Sequence, residues 1–409
     1  MANFDLMKQL ATDKGGKIIL LIMDGLGGLP MEPGGKTELE AAFTPNMDRL
    51  AQEGCLGGSH PITRGVTPGS GPAHLSLFGY DPVAIPVGRG VLSALGAGIP
   101  IKAADVAARG NFCTVDADGL ITDRRAGRIS NEAAAPLVEK LRAIQIPGIK
   151  LEVRLEQEYR FVLMLSGEGL HGGVADTDPQ VTGKAPYPAT ALVPEAEKTA
   201  EIVRQWVDAA AVILKDDSPA NMVTLRGFGQ PPDLPTFQEV YKLKAACVAV
   251  YPMYKGVSSL AGMDVLPTGS FTPAQEFQVV ADHWHEYDFF FIHIKYTDSR
   301  GEDGNFPAKA AVIEQVDTAL PILLDLKPDV LIITGDHSTP AKLRSHSWHP
   351  VPTLLWAPAT HMPDACQSFG ERETHRGGLG QFPANELMPM AMATLCALTN
   401  MGLRRYNTI

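Results

Sequence analysis

Three stretches of the chain are apolar almost throughout rather than at every second position. They are Lys17-Ile-Ile-Leu-Leu-Ile22, Tyr287-Asp-Phe-Phe-Phe-Ile-His-Ile294 and Asp329-Val-Leu-Ile-Ile-Thr334. Continuous short runs of this kind belong to strands covered on both faces, as in a parallel sheet flanked by helices. Each run is followed within four residues by an acid: Asp24, Asp298 and Asp336. Ligands in open α/β sheets bind beyond the carboxyl ends of the strands. Three strands that each deliver a carboxylate to that edge therefore predict one shared site.

The first of these strands lies near the start and the other two lie past residue 280, so something is inserted between them. The stretch from about Gly88 to Val240 has its own pattern. Tyr159-Arg-Phe-Val-Leu-Met-Leu165 reads as a strand. A helix is predicted over Glu195 to Leu214, with Ile202, Val203, Trp206, Ala209, Ala210 and Ile213 at three- and four-residue spacing. That stripe reads as a core-packing face. The Pro-rich Gln230-Pro-Pro-Asp-Leu-Pro235 reads as a return linker. The expected division is a discontinuous domain, 1–87 and 241–409, interrupted by an inserted domain, 88–240.

Composition narrows the classes. A length of 409 residues suits two domains, and 45% hydrophobic with 20% charged residues is an ordinary globular balance. The longest apolar run near the N-terminus, Ile18 to Met23, is too short to span a bilayer, and no leader pattern precedes it. The expectation is a cytoplasmic protein without a membrane partner. A net charge of -11 argues against a nucleic-acid partner, because phosphate backbones require clustered Lys and Arg. It leaves room for small anions, since a local Arg pocket or bound cations can reverse the field. Five widely spaced cysteines without a C-x-x-C read as free thiols rather than a disulfide frame or zinc knuckle.

The strand ends carry the candidate chemistry. In Thr334-Gly-Asp-His-Ser-Thr-Pro340, Asp336 and His337 are adjacent in a Gly-containing turn, which lets both face one ion. A carboxylate with an imidazole suits Mn²⁺ or Zn²⁺. His346 follows nine residues later, and Asp298 and Glu302 share a face if their segment is helical. In Thr67-Pro-Gly-Ser-Gly-Pro-Ala-His-Leu75, Ser70 is placed to sit at a helix N-terminus, where free amides and the helix dipole favour an incoming phosphate. A metal beside it would lower its hydroxyl pKa and make it a nucleophile. His293, inside a predicted strand, reads as a hydrogen-bonded core histidine, and His74 and His349 read similarly.

The ordered motifs Asp24-Gly-Leu-Gly, Thr44-Pro-Asn-Met-Asp48, Pro68-Gly-Ser with Ala73-His-Leu-Ser-Leu-Phe-Gly-Tyr-Asp-Pro82, Gly88-Arg-Gly90, Asp123-Arg-Arg-Ala-Gly-Arg128, Asp176-Thr-Asp-Pro179 and Thr334-Gly-Asp-His-Ser-Thr-Pro340 resemble a known family. It is the archaeal-type, 2,3-bisphosphoglycerate-independent phosphoglycerate mutases of the alkaline phosphatase superfamily, and the likeness runs over nearly the whole chain. The resemblance implies an α/β fold: an alkaline-phosphatase-like, mostly parallel sheet with helices on both faces, interrupted by a second α/β domain. It implies that 3-phosphoglycerate and 2-phosphoglycerate interconvert through a phosphoserine at Ser70. One divalent metal would be held by Asp24, Ser70, Asp336 and His337, and another by Asp298, Glu302 and His346. Asp123, Arg124, Arg125, Arg128 and Lys255 would bind substrate, a small phosphorylated hydroxy acid, and Arg forks suit its planar anions. Homo-oligomers are compatible with this reading.

Two positions depart from the family pattern. Glu302 stands where His is usual, which replaces a neutral nitrogen with an anionic oxygen and favours Mn²⁺ or Mg²⁺ over Zn²⁺. Gly71-Pro72 stands where a polar pair is usual. The competing readings are a metal-dependent phosphatase or phosphoryl transferase acting on another small phosphoester, and a catalytically silent homologue.

Overall fold

The computed structural model describes residues 4–269, 271–360 and 362–400. The strands, in chain order, are β1 Ile18–Met23, β2 Cys55–His60, β3 Val106–Val115, β4 Ile121–Asp123, β5 Lys150–Gln157, β6 Arg160–Ser166, β7 Met222–Gly229, β8 Ala245–Ala249, β9 Asp264–Val265, β10 Phe289–Ile294, β11 Val330–Thr334, β12 Val351–Trp356 and β13 Gly380–Pro383. They fall into two sheets, and the chain divides into two compact units: Met1–Ile85 with Leu234–Ile409, and Pro86–Asp233.

The first unit holds an eight-stranded sheet in the order β13-β2-β12-β11-β1-β10-β8-β9. It is parallel except where β12 runs against β11 and β2. This is the mostly parallel α/β sheet expected from the sequence. The three unbroken apolar runs become β11, β1 and β10, side by side at its centre. All six residues of β1 are buried, because both of its faces are covered. One face supplies Ile19, Leu21 and Met23 to a core with Phe277, Ile313, Val316 and Leu320 from the helices Pro273–Asp282 and Phe306–Leu324.

Register then decides where the acids emerge. Met23 pairs with Ile294, and Ile22 pairs with Thr334, so the three strands end level. Asp24, Asp298 and Asp336 leave the sheet at its carboxyl edge.

The second unit is a five-stranded sheet in the order β4-β3-β6-β5, with β7 also paired to β3. All of its pairings are antiparallel. The amphipathic helix predicted from the stripe is Glu197–Leu214, preceded by a short 3₁₀ turn at Pro194–Ala196. Trp206, Val203 and Ala210 on its inner face pack with Phe112, Phe161 and Leu163 of the sheet. No helix among the described residues is long and apolar enough to cross a membrane.

Candidate active site

Asp24 directly follows β1, and the chain then turns at Gly25 with φ +63°. A Cβ at Gly25 would lie 2.5 Å from Thr339 Oγ1 and 3.0 Å from Asp298 Oδ1. Both the left-handed backbone and the close approach therefore require glycine. Asp298 lies on the helix Tyr296–Glu302, entered directly from β10, and Asp336 and His337 follow β11. Ser70 opens the helix Ser70–Leu77 behind Gly69. Pro72 costs little there, because the amides of a first helical turn have no intrahelical partner.

These segments bring most of the predicted residues together. Ser70 Oγ lies 3.2 Å from His337 Nε2. The same nitrogen is 3.2 Å from Asp336 Oδ2 and 3.4 Å from Asp24 Oδ1. Asp24, Asp336 and His337 thus form one group with the spacing of metal ligands, and Asp298, His337 and His346 form another. The imidazoles of His337 and His346 stack with centroids 3.6 Å apart. Asp24 Oδ1 and Asp336 Oδ2 are buried and accept no hydrogen bond. Buried carboxylate oxygens are rarely left so, and two of them facing a ring nitrogen fit a divalent cation.

The protonation equilibria agree with that strain. Burial, and then the neighbouring Asp24, hold the Asp336 carboxyl well above the usual carboxylate range. Burial holds the imidazole of His337 well below its ordinary value, with His346 pushing the same way. Lys295 answers part of the negative charge. Its ammonium donates to Asp24 Oδ2 at 2.8 Å and to Asp298 Oδ2 at 2.6 Å. Burial opposes its charge, but Asp24 and Asp298 outweigh burial and raise its pKa. The hydroxyl of the buried Tyr254 also donates to Asp24 Oδ2.

Glu302 stands outside both groups. Its side chain is exposed, at the last position of the Tyr296–Glu302 helix. Partial desolvation, and then Asp298, raise its pKa, so it lies within the field of the cluster. Lys255 is placed where its charge acts on the buried Glu276 and Cys247. In the second unit, Arg124 makes a two-pronged contact with Asp178, at 2.8 and 3.2 Å. Asp123 accepts from the backbone amides of Arg125 and Gly127, which shapes the turn that carries Arg125 and Arg128. Both of those arginines are exposed.

The histidines divide differently from their sequence reading. His74 is a buried histidine whose Nδ1 donates to Ser70 O at 2.7 Å, and burial lowers its pKa to about 4. His349 Nδ1 lies 3.0 Å from Ser347 Oγ. His293 is buried as expected, but neither of its ring nitrogens has a hydrogen-bond partner. It stacks on Tyr254 instead, with centroids 3.4 Å apart, and its Nε2 lies 3.5 Å from Asp24 Oδ2.

The pattern reading missed Tyr254, Lys295, Thr339 and Lys309. Lys295 had a visible cue, since it directly follows an apolar strand, three residues before Asp298. Thr339 lay within the Asp336-His337 turn. Tyr254 and Lys309 had no cue beyond helical periodicity.

Lys309 is fully buried and donates to three backbone carbonyls: Gly25 at 2.8 Å, Gly27 at 3.0 Å and Thr339 at 2.9 Å. It pins the turn after Asp24 to the turn after His337. Lys309→Met removes the ammonium shared by those carbonyls, leaving Thr339 O without that donor and Gly25 O and Gly27 O with the Thr339 amide alone, and is expected to lower unfolding free energy by roughly 3 kcal/mol. Urea unfolding with an unchanged m-value measures it.

Comparison with known proteins follows the same lines. A family model described as 2,3-bisphosphoglycerate-independent phosphoglycerate mutase matches residues 51–221. A relative from Thermus thermophilus, named "Probable 2,3-bisphosphoglycerate-independent phosphoglycerate mutase", is 49% identical over 406 residues, 98% of this chain and 100% of the relative. One of the same name from Aquifex aeolicus is 46% identical over 97% of this chain and 100% of its own. A solved structure from Pyrococcus horikoshii aligns with TM-score 0.82 at 32% identity, covering 95% of this chain and 99% of that one. The cofactor-independent phosphoglycerate mutase from Thermoplasma acidophilum aligns with TM-score 0.70 at 32% identity, covering 92% and 99%.

Proposed function

This chain belongs to the 2,3-bisphosphoglycerate-independent phosphoglycerate mutases, and from that premise we propose that it interconverts 3-phosphoglycerate and 2-phosphoglycerate through a phosphoserine at Ser70. The observation that carries the site assignment is the placing of Ser70 Oγ 3.2 Å from His337 Nε2, beside two buried carboxylate oxygens without partners.

Asp24, Asp336, His337 and Ser70 would hold one divalent cation, and Asp298, His346 and Glu302 the other. Bound there, the cations would lower the Ser70 hydroxyl pKa and offset charge on the phosphoryl oxygens during in-line transfer. The residues do the rest. Ser70 Oγ gives up its proton and attacks phosphorus, the bond from phosphorus to the C3 oxygen breaks, that oxygen takes up a proton, and glycerate is left free to reorient. Its 2-hydroxyl then attacks the phosphoserine, and Ser70 is regenerated. The N-terminus of the Ser70–Leu77 helix favours the anion throughout. In the second unit, Arg125 and Arg128 offer exposed guanidiniums for the substrate's anionic groups, while Arg124 is fixed by Asp178.

Incubation with 3-phosphoglycerate and Mn²⁺, without added bisphosphoglycerate, tests the reading. The expected product is 2-phosphoglycerate. Release of inorganic phosphate alone would instead identify a phosphatase. The ligand role of Glu302 predicts a preference for Mn²⁺ or Mg²⁺, shifting toward Zn²⁺ in Glu302→His. A Zn²⁺ optimum in the native protein would remove Glu302 from the ligand set.

A further inference from the structure

Beneath both candidate metal groups lies one buried hydroxyl. Thr339 is fully buried, two residues after His337. Its Oγ1 is 2.8 Å from Asp298 Oδ1 and 2.9 Å from His337 Nδ1. A threonine hydroxyl has one hydrogen to donate, and a carboxylate has none. Thr339 therefore donates to Asp298 and can only accept from the imidazole. That places the His337 hydrogen on Nδ1 and leaves Nε2 with a bare lone pair, directed at Asp24, Asp336 and Ser70.

The opposite tautomer fails on the same count. With Nδ1 bare, the single Thr339 hydrogen would be claimed by both His337 and Asp298. Asp298 Oδ1 would then lose its hydroxyl donor, since Lys295 binds the other oxygen and His346 Nε2 stands 3.6 Å away. Thr339 is itself held firmly. Its amide donates to Gly27 O at 3.0 Å and Gly25 O at 3.2 Å, and its carbonyl accepts from Lys309 at 2.9 Å.

We propose that Thr339 is a positioning residue: it fixes the His337 tautomer, makes Nε2 the nitrogen that faces a metal held with Asp24 and Asp336, and couples that ligand to Asp298. The inference rests on the metal reading above. It extends it from which residues hold metal to what makes one of them able to. A partner on the far nitrogen of a ligating histidine commonly changes metal affinity by about 10–100-fold.

Two measurements test it. The first is histidine-selective ¹⁵N NMR of the metal-free protein at pH 8, with His337 assigned by its missing signal in His337→Asn. A hydrogen on Nδ1 and a bare Nε2 are expected, and a hydrogen on Nε2 overturns the proposal. The second is Mn²⁺ affinity, followed by electron paramagnetic resonance, in Thr339→Val and Thr339→Ser. Valine keeps the shape but removes the hydroxyl, and a loss of about 10–100-fold is expected. Serine keeps the hydroxyl and should stay within a few-fold of the native protein. Native-like binding by the valine variant overturns the proposal. If the native protein itself takes up no Mn²⁺, the metal reading fails, and the tautomer measurement still judges Thr339.

Discussion

Ser70→Ala is expected to reduce interconversion of the phosphoglycerates by roughly four orders of magnitude or more, the scale on which enzymes lose rate when their nucleophile is removed. The loss should fall on turnover rather than on folding. Ser70 is half-buried, and its hydroxyl contacts His337 Nε2 at 3.2 Å. Its backbone carbonyl, which holds His74, survives the change. Intact-mass measurement after brief exposure to 3-phosphoglycerate should show an added phosphoryl group on the native protein and none on the variant. Native-like turnover in Ser70→Ala would move the nucleophile elsewhere. Ser70→Cys gives a control in which a nucleophile remains but the hard oxygen ligand is lost.

Removal of divalent ions is the second large effect, and its pH dependence has a definite sign. Without metal, the Asp336 carboxyl has a folded pKa far above the unfolded value of 3.8, because of burial and then Asp24. The folded chain then holds a proton that the unfolded chain has released. That contribution is fully present below the unfolded pKa and is lost as pH rises through the folded one. His337 works on the other side. Burial depresses its pKa below 6.5, so its contribution is lost as pH falls through and below that value. Between its unfolded and its raised folded value the Asp336 carboxyl makes the stripped protein lose stability as pH rises.

Metal binding at the proposed site would reverse the trend, because ligation by these residues requires ionised Asp336 and neutral His337. The gap in Tm between Mn²⁺-loaded and stripped protein should therefore widen as pH rises above the unfolded carboxylate value. At a free metal concentration of 100 times Kd the stabilisation is about 2.7 kcal/mol. Activity should fall by about a thousandfold or more on stripping and return with added Mn²⁺. A gap that narrows with rising pH would contradict the assignment of Asp336 as a ligand.

The sequence carried the half of the site that chain direction creates. An unbroken apolar run must be covered on both faces, and the residues in the few positions after its carboxyl end emerge at the ligand edge. Asp24, Asp298 and Asp336 follow from that rule alone. Ser70 was legible because a Gly-Ser-Gly segment before a helical run places a hydroxyl at a helix start. Other residues were opaque for a physical reason. Tyr254 reaches Asp24 across 230 positions, and Lys309 reaches Gly25 across 284. Nothing in a local period encodes which side of a helix will meet a distant turn.

What the sequence determined by itself was the kinds of candidate ligand, their order along the chain and the edge on which they stand, since strand burial and polypeptide direction are local properties. Only the tertiary structure decided how they combine. The adjacency of β11, β1 and β10 and their level register bring three carboxylates together. The shared place of His337 in both groups, the bridging ammonium of Lys295 and the single hydroxyl of Thr339 are set by distances of about 3 Å between residues far apart in the chain. Hydrogen bonds and metal ligation act only at such distances, so the chemistry of this site exists only once the sheet has formed.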